Sequence, residues 1–278
     1  MGKLLYPFKH DIVFKMYFVR HQDQLKRLIA LILKIRLDSI TEFVVVNGEI
    51  PPEMISTKFC RLDIHMKVNG RLVDLEVQVN DEGDYGNRAA YYGARDYSSA
   101  LSSGMEYRDI PPVIIISIID FKLWRGDDVH SMWHVSNDAT HQRMVDNWEW
   151  HFLELPKLSN IVDTEDELDI WLNIFNADTE EDIKKLLKLE VPMVETTINA
   201  YREVTADGAF LELVRMREDA KHNEISALAR ARREAHKEGK LEGRLERDRE
   251  VALKMIANNF PDDIIEQLTG LTRATVHQ

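Results

Sequence analysis

The 278-residue sequence predicts an α/β domain followed by an all-helical C-terminal region with a long charged helix. Three observations carry that prediction. CRLDIHMKV at 60–68 and RLVDLEVQV at 71–79 alternate apolar and polar residues on either side of Asn69-Gly70, a dipeptide that favours a two-residue hairpin turn. VIIISII at 113–119 is too uniformly apolar for a half-exposed strand and suits one buried on both faces. After Pro156 the strand patterns stop and helical patterns take over.

In chain order, residues 11–35 place Ile12, Phe14, Met16, Phe18, Leu25, Leu28, Ile29, Ile32 and Leu33 at spacings that become three and four in the second half, predicting one or two helices. ITEFVVV at 40–46 is β-branched and runs into Asn47-Gly48, a strand and a turn. The hairpin follows. From Tyr85 to Met105 the chain is rich in Ala, Tyr, Arg and Ser and free of Pro, predicting a helix that tolerates its glycines. Short strands are expected around 132–135 and 148–155, and helices at 164–176, 179–189, 193–204 and about 210–258. The last of these spaces acids and bases for i, i+4 pairing, with Gly239 and Gly243 as a candidate hinge and no sustained heptad. FPDDIIEQLTGLTRATVHQ reads as a helix, a Gly270 C-cap, a Thr272 N-cap and a short helix, with a packing or partner-binding role favoured over DNA recognition. The change of character places a domain boundary near residue 160, giving units 1–160 and 161–278.

Composition narrows the class. Hydrophobic residues at 44% and charged residues at 30% exclude collagen-like and wholly disordered chains. The one cysteine, Cys60, has no internal disulfide partner, and the N-terminal residues lack the apolar stretch of a signal peptide, so a reducing, cytoplasmic location is expected. The apolar runs at 28–33 and 113–119 fall far short of the roughly 20 residues that cross a bilayer, so no membrane association is expected. Formal charge is 36 basic minus 48 acidic residues, or −12. Residues 1–160 carry 19 against 22 and the remainder 17 against 26, so the deficit is mostly C-terminal. Nine acids and no base between Asp163 and Asp182 would repel a phosphate backbone there.

The hairpin holds the chemistry. With Asn69 and Gly70 at the turn, facing residues have numbers that sum to 139, so Asp63 faces Glu76 and His65 faces Asp74. One face is apolar (Leu62, Ile64, Met66, Val68, Val73, Leu75, Val77, Val79), and the other carries Arg61, Asp63, His65, Lys67, Asp74, Glu76 and Gln78. Like charges opposed across a ladder destabilise it by about 0.2–1 kcal/mol. A hard divalent cation such as Mg²⁺, taking one or two carboxylates and keeping its waters, is a simple compensator. A solvated face neutralised by Arg61, His65 and Lys67 is the plainer alternative.

Asp63, then Glu76-Val77-Gln78 on the next strand, resembles the D…(D/E)-X-K signature of the PD-(D/E)XK nuclease superfamily in an E-X-Q form. DIVFKMYF at 11–18, LDIHMKV, VDLEVQV, RAAYYGARDYSSALSSGMEY at 88–107 and PPVIIISIIDF at 111–121, in that order, resemble the Rpn-like recombination-promoting nuclease and transposase family. The resemblance covers about residues 8–155. It implies a restriction-endonuclease-like core, a mixed sheet flanked by helices, and metal-dependent hydrolysis of DNA. It further implies that Asp63 and Glu76, with the Val77 carbonyl, bind Mg²⁺, with Mn²⁺ as a possible substitute. Gln78 stands where the superfamily usually has Lys; it can orient a water but brings no charge and cannot act as a base.

Other candidates are weighed beside these. Asp11 opens the first helix, where similar nucleases sometimes place another acid, although an N-cap is the commoner reason for Asp there. Asp74 is a candidate outer residue of the site, with solvation as the commoner outcome. Arg88, Tyr92 and Arg95 share a helical face and could contact phosphate, Arg88 being preferred; core packing is the commoner fate of the tyrosines. His130 and His134 are not read as a zinc pair, since a strand would hold them about 13 Å apart. The expected function is a Mg²⁺-dependent DNA endonuclease associated with recombination or transposition, a homo-oligomer through its C-terminal helices. The rival is a weak or inactive nuclease-fold protein acting as a DNA- or protein-binding regulatory module.

Overall fold

The computed structural model describes residues 2–48 and 63–276, so Cys60, Arg61 and Leu62 lie outside the described residues. The chain divides into two compact units, Met1–Arg217 and Glu218–Gln278.

The first unit begins with α1 (Asp11–Arg20) and α2 (Gln22–Ile32), the two helices of the N-terminal periodic segment. β1 (Phe43–Val45), β2 (Ile64–Val68) and β3 (Arg71–Gln78) follow. Then come α3 (Tyr85–Ser99), β4 (Val113–Ile119), β5 (His130–Trp133) and β6 (Trp148–Glu154). Three helices, α4 (Glu167–Asn176), α5 (Glu180–Leu187) and α6 (Pro192–Ala206), lead into the long α7 (Gly208–Ala257).

The strands form one mixed sheet in the order β1-β2-β3-β4-β6-β5. Both edges are antiparallel and the centre, β3-β4-β6, is parallel. Parallel neighbours need a crossover, and α3 supplies the one between β3 and β4. The hairpin has the expected register, Ile64 to Leu75 and His65 to Asp74, with positive φ at both turn residues, 50° at Asn69 and 73° at Gly70. Those two angles define the turn whose twist matches paired strands. β3 stops at Gln78, and Val79, expected on the apolar face, is 40% exposed.

Every residue of β4 is buried because each face of the sheet is covered. On one face Ile64, Met66, Val73, Leu75, Ile114, Ile116 and Ile118 pack with Phe14, Phe18, Trp171 and Phe175 from the helices. Burying each such phenylalanine contributes about 1.5–3 kcal/mol. On the other face, Tyr85 and Ala89 of α3 lie over Val113, Ile115, Ile119, Trp150 and Phe152.

The boundary expected near residue 160 is corrected. Residue 160 follows the last strand, but Ile170, Trp171, Phe175, Ile198 and Tyr201 belong to the same apolar core as the sheet, so the first compact unit runs to Arg217. The helix expected over 85–105 ends at Ser99, and the chain turns at Gly104 with φ 85°.

In the second unit α7 runs unbroken through Gly239 and Gly243, so neither interrupts the helix. α8 (Asp262–Thr269) ends at Gly270 in the left-handed region, φ 70°, and α9 (Arg273–Val276) follows. Ala252, Met255, Ile265 and Val276 form a small core of their own. No helix among the described residues is long and apolar enough to cross a membrane.

Candidate active site

Asp63 immediately precedes β2, and extending the hairpin register by one pair sets it opposite Glu76. Its backbone is clamped from two sides. Lys15 of α1, itself buried, donates Nζ to the Asp63 carbonyl at 3.0 Å, and Asn47 donates its side-chain amide to the same oxygen at 3.0 Å. Asn47 also accepts from the His65 amide at 2.8 Å, so the turn after β1 fixes the strand that presents Asp63 and His65.

The polar face of the hairpin is not a solvated face. Asp63, Asp74 and Glu76 are 7%, 4% and 7% exposed. Glu76 is held by the Tyr85 hydroxyl at the start of α3, which donates to Oε1, and by Ser117 Oγ of β4 at 3.2 Å. Ser117 is in register with Glu76 in the parallel pair, so one strand positions the acid and the next supplies its donor. Val77, between Glu76 and Gln78, packs on the apolar face.

His65 ties the acids together: its Nε2 lies 2.8 Å from Asp63 Oδ2 and 3.7 Å from Asp74 Oδ1. Burial opposes charge on the imidazole, but the hydrogen bond to Asp63 and the charges of Asp74, Asp63 and Asp96 outweigh it, pushing its pKa up to about 9. Asp74 is shifted far above the ordinary carboxylate range, first by burial and then by the charge of Asp63, with His65 opposing and Glu76 and Asp96 adding to the rise. Its Oδ1 has no hydrogen-bond partner among the described residues. Ligand atoms of Asp63, His65 and Asp74 all fall within 4.8 Å of one another. Buried carboxylates with an orphaned oxygen form a donor set that fits a divalent cation, since a cation would satisfy the oxygen and offset the repulsion.

The remaining sequence candidates are arranged differently. Gln78 is half-buried and donates Nε2 to the Asn80 carbonyl at 2.9 Å. Arg88 pairs with Glu82 at 3.0 Å and lies 5.7 Å from the centre of the Tyr85 ring, one side chain removed from Glu76. Tyr92 is half-buried beneath the Arg95 guanidinium, 5.2 Å away, while Tyr91 is 68% exposed, so α3 does not bury its tyrosines uniformly. Asp11 is the first residue of α1 and not its N-cap, which is His10; its carboxylate accepts from the Ile12 amide at 2.9 Å and lies 3.7 Å from Arg217. Lys67 is exposed.

Five contributors escaped the sequence reading: Lys15, Asn47, Tyr85, Asp96 and Ser117. Lys15 carried a signal, a lone cation inside the apolar run DIVFKMYF. Tyr85 and Asp96 carried none, since which side of α3 meets the sheet follows from tertiary packing. His130 and His134 share no contact; His130 meets His151 at 2.9 Å and His134 meets Glu149 at 3.1 Å.

A family model described as PD-(D/E)XK nuclease family transposase matches residues 8–231. Neither a curated protein nor a solved structure matches the chain significantly.

Proposed function

The chain belongs to the PD-(D/E)XK nuclease family of transposases, and from that premise we propose that it is a metal-dependent endonuclease that hydrolyses DNA phosphodiester bonds in recombination or transposition. The observation that carries this reading is the set of three carboxylates, each less than a tenth exposed, gathered by one hairpin beneath α3. Burying three carboxyl groups together is costly, and perturbed carboxyls of this kind cluster at functional sites.

Asp63 and Glu76, with the Val77 carbonyl, would hold Mg²⁺, and Mn²⁺ could replace it. When bound, such an ion polarises a phosphate and lowers the pKa of a coordinated water. The chain's own residues supply the alignment. Tyr85 and Ser117 restrict the rotamer of Glu76, while Lys15 and Asn47 fix the backbone of Asp63. Gln78, released from Asn80, can orient a water but adds no charge. Arg88, 5.7 Å from the centre of the Tyr85 ring, would meet a phosphate. Exposed Ile225, Leu228, Leu241 and Leu245 on α7 support self-association through the C-terminal helices. The absence of a disulfide partner for Cys60 supports a cytoplasmic setting.

One observation favours the second reading, a nuclease-fold regulatory module that binds DNA or protein and cleaves weakly: Gln78 stands where the superfamily usually has Lys, and its amide is engaged by the Asn80 carbonyl. Nicking of supercoiled plasmid with Mg²⁺, Mn²⁺ or EDTA separates the two. Cleavage that requires metal and vanishes in Asp63→Ala supports the nuclease. Equal inertness of wild type and Asp63→Ala, with DNA binding retained by both, moves the binding module ahead.

A further inference from the structure

We infer that the hairpin holds a second cation position, built by Asp63, His65 and Asp74, which takes a first-row transition cation in preference to Mg²⁺. It deepens the proposed function and rests on that reading for the Asp63–Glu76 position beside it. The two positions share Asp63 and differ in their second carboxylate: Asp74 and Glu76 are alternate residues of β3, separated by about 7 Å along the strand.

Glu76 is already engaged by Tyr85 and Ser117. Asp74 is the contrary case. It is 4% exposed, its Oδ1 lacks a hydrogen-bond partner among the described residues, and that oxygen points at His65 Nε2 from 3.7 Å. The 3.7 Å approach of His65 is too long for a hydrogen bond, and a cation coordinated by the imidazole and this carboxylate would satisfy the oxygen. The three residues already converge, with one ligand atom from each inside a 4.8 Å circle. Their backbones are held by the paired register of β2 and β3 and by the Asn47 clamp on the His65 amide, so little ordering remains to be done on binding. Asp96 stands behind them on α3 with a second buried oxygen, Oδ2, that has no partner among the described residues.

The imidazole sets the metal preference. Mg²⁺ favours an all-oxygen shell, whereas a nitrogen donor beside carboxylates suits transition cations. His65 keeps 36% of its side chain exposed, which gives a cation a way in.

The test is a Mn²⁺ titration of the full chain followed by electron paramagnetic resonance, counting bound ions per chain and looking for nitrogen coupling from a histidine ligand. Wild type should bind two Mn²⁺. Asp74→Asn, close in shape to the original, should bind one without nitrogen coupling, and Glu76→Gln should bind one with nitrogen coupling that excess Mg²⁺ does not displace. One Mn²⁺ in wild type, lost in Glu76→Gln and kept in Asp74→Asn, overturns the second position and leaves the proposed function standing. One Mn²⁺ lost in Asp74→Asn and kept in Glu76→Gln upholds it and removes the Asp63–Glu76 position instead. No bound Mn²⁺ overturns both. Thermal melts of the variants exclude loss of binding through unfolding.

Discussion

At Gly93 helix α3 lies directly against Trp150 of β6, and Gly93→Ala tests how that helix is held on the sheet. A Cβ built at position 93 would lie 2.6 Å from Trp150 Nε1 and 3.0 Å from two further atoms of that indole. Against a ~3.5 Å optimum for non-bonded contacts, the shortest gap is deficient by about 0.9 Å. Trp150 cannot easily retreat: it is 8% exposed, its ring lies 4.6 Å from that of Trp148, and its N–H donates to the Ala89 carbonyl at 3.2 Å. Ala is the better helix former by about 1 kcal/mol. Overpacking costs roughly 1–3 kcal/mol, and loss of the indole hydrogen bond adds about 1 kcal/mol. The net expectation is destabilisation by roughly 1–3 kcal/mol, a fall in Tm of about 2–12 °C for a unit of this size. Urea unfolding and thermal melts followed by tryptophan fluorescence measure it. A Gly93→Ala protein as stable as wild type would refute the close approach, and with it the placement of Tyr85 over Glu76. Trp150→Leu, by making room, should reduce the cost of adding the methyl, giving a double-mutant cycle with strong coupling.

Three further outcomes follow from the same geometry. Tyr85→Phe removes a donor to a buried carboxylate, an interaction of about 1.5–3 kcal/mol, and should lower Tm by roughly 3–12 °C while slowing metal-dependent plasmid nicking. Gln78→Lys should keep or raise nicking while Glu76→Ala abolishes it; equal activity of wild type and Glu76→Ala would sink the assignment. His130 has its pKa lowered from 6.5 to about 4, first by burial and then by the charges of His151 and Lys34. The unfolded chain therefore takes up a proton between pH 6.5 and about 4 that the folded chain refuses, so stability falls as pH falls through that window. His130→Gln should flatten this slope in urea midpoints measured at pH 7, 5.5 and 4.5.

Hairpin register was legible because a two-residue turn leaves no freedom: once Asn69-Gly70 is recognised, the pairing of His65 with Asp74 is arithmetic. The double burial of β4 was legible from composition, since a strand with no polar side has no face to offer water. What pattern could not show was the fate of the polar side of the hairpin. Its residues are those of an ordinary solvated face, yet Asp63, Asp74 and Glu76 are buried, with Glu76 bonded to Tyr85 of α3. The extent of the first unit escaped for a similar reason. Helices α4 to α6 look like a separate acidic region along the chain, yet Trp171 and Phe175 turn inward to Phe14 and Phe18, more than 150 residues earlier. Gln78 was read as part of the site because it shares a face with Glu76; it is the last residue of β3, and its amide bonds to the Asn80 carbonyl, a local contact that alternation does not foretell.

The parallel centre of the sheet also sets an order in time. A tight hairpin closes in about 1–10 μs, so the three acids come near one another almost as soon as β3 exists. Their partners arrive much later: Ser117 follows Glu76 by 41 residues, and β6, which completes the buried environment of β4, lies another 35 beyond in register. At about 5–20 residues per second, ribosomal synthesis leaves the carboxylates for roughly 2–8 s without the donor from β4. Long-range parallel pairing is also the slow part of folding, because chain closure precedes the contacts that reward it. The growing chain thus carries its acids in a loose ribbon and acquires a fixed constellation only once the sheet is whole, which delays any chemistry they perform until β6 has been made and paired.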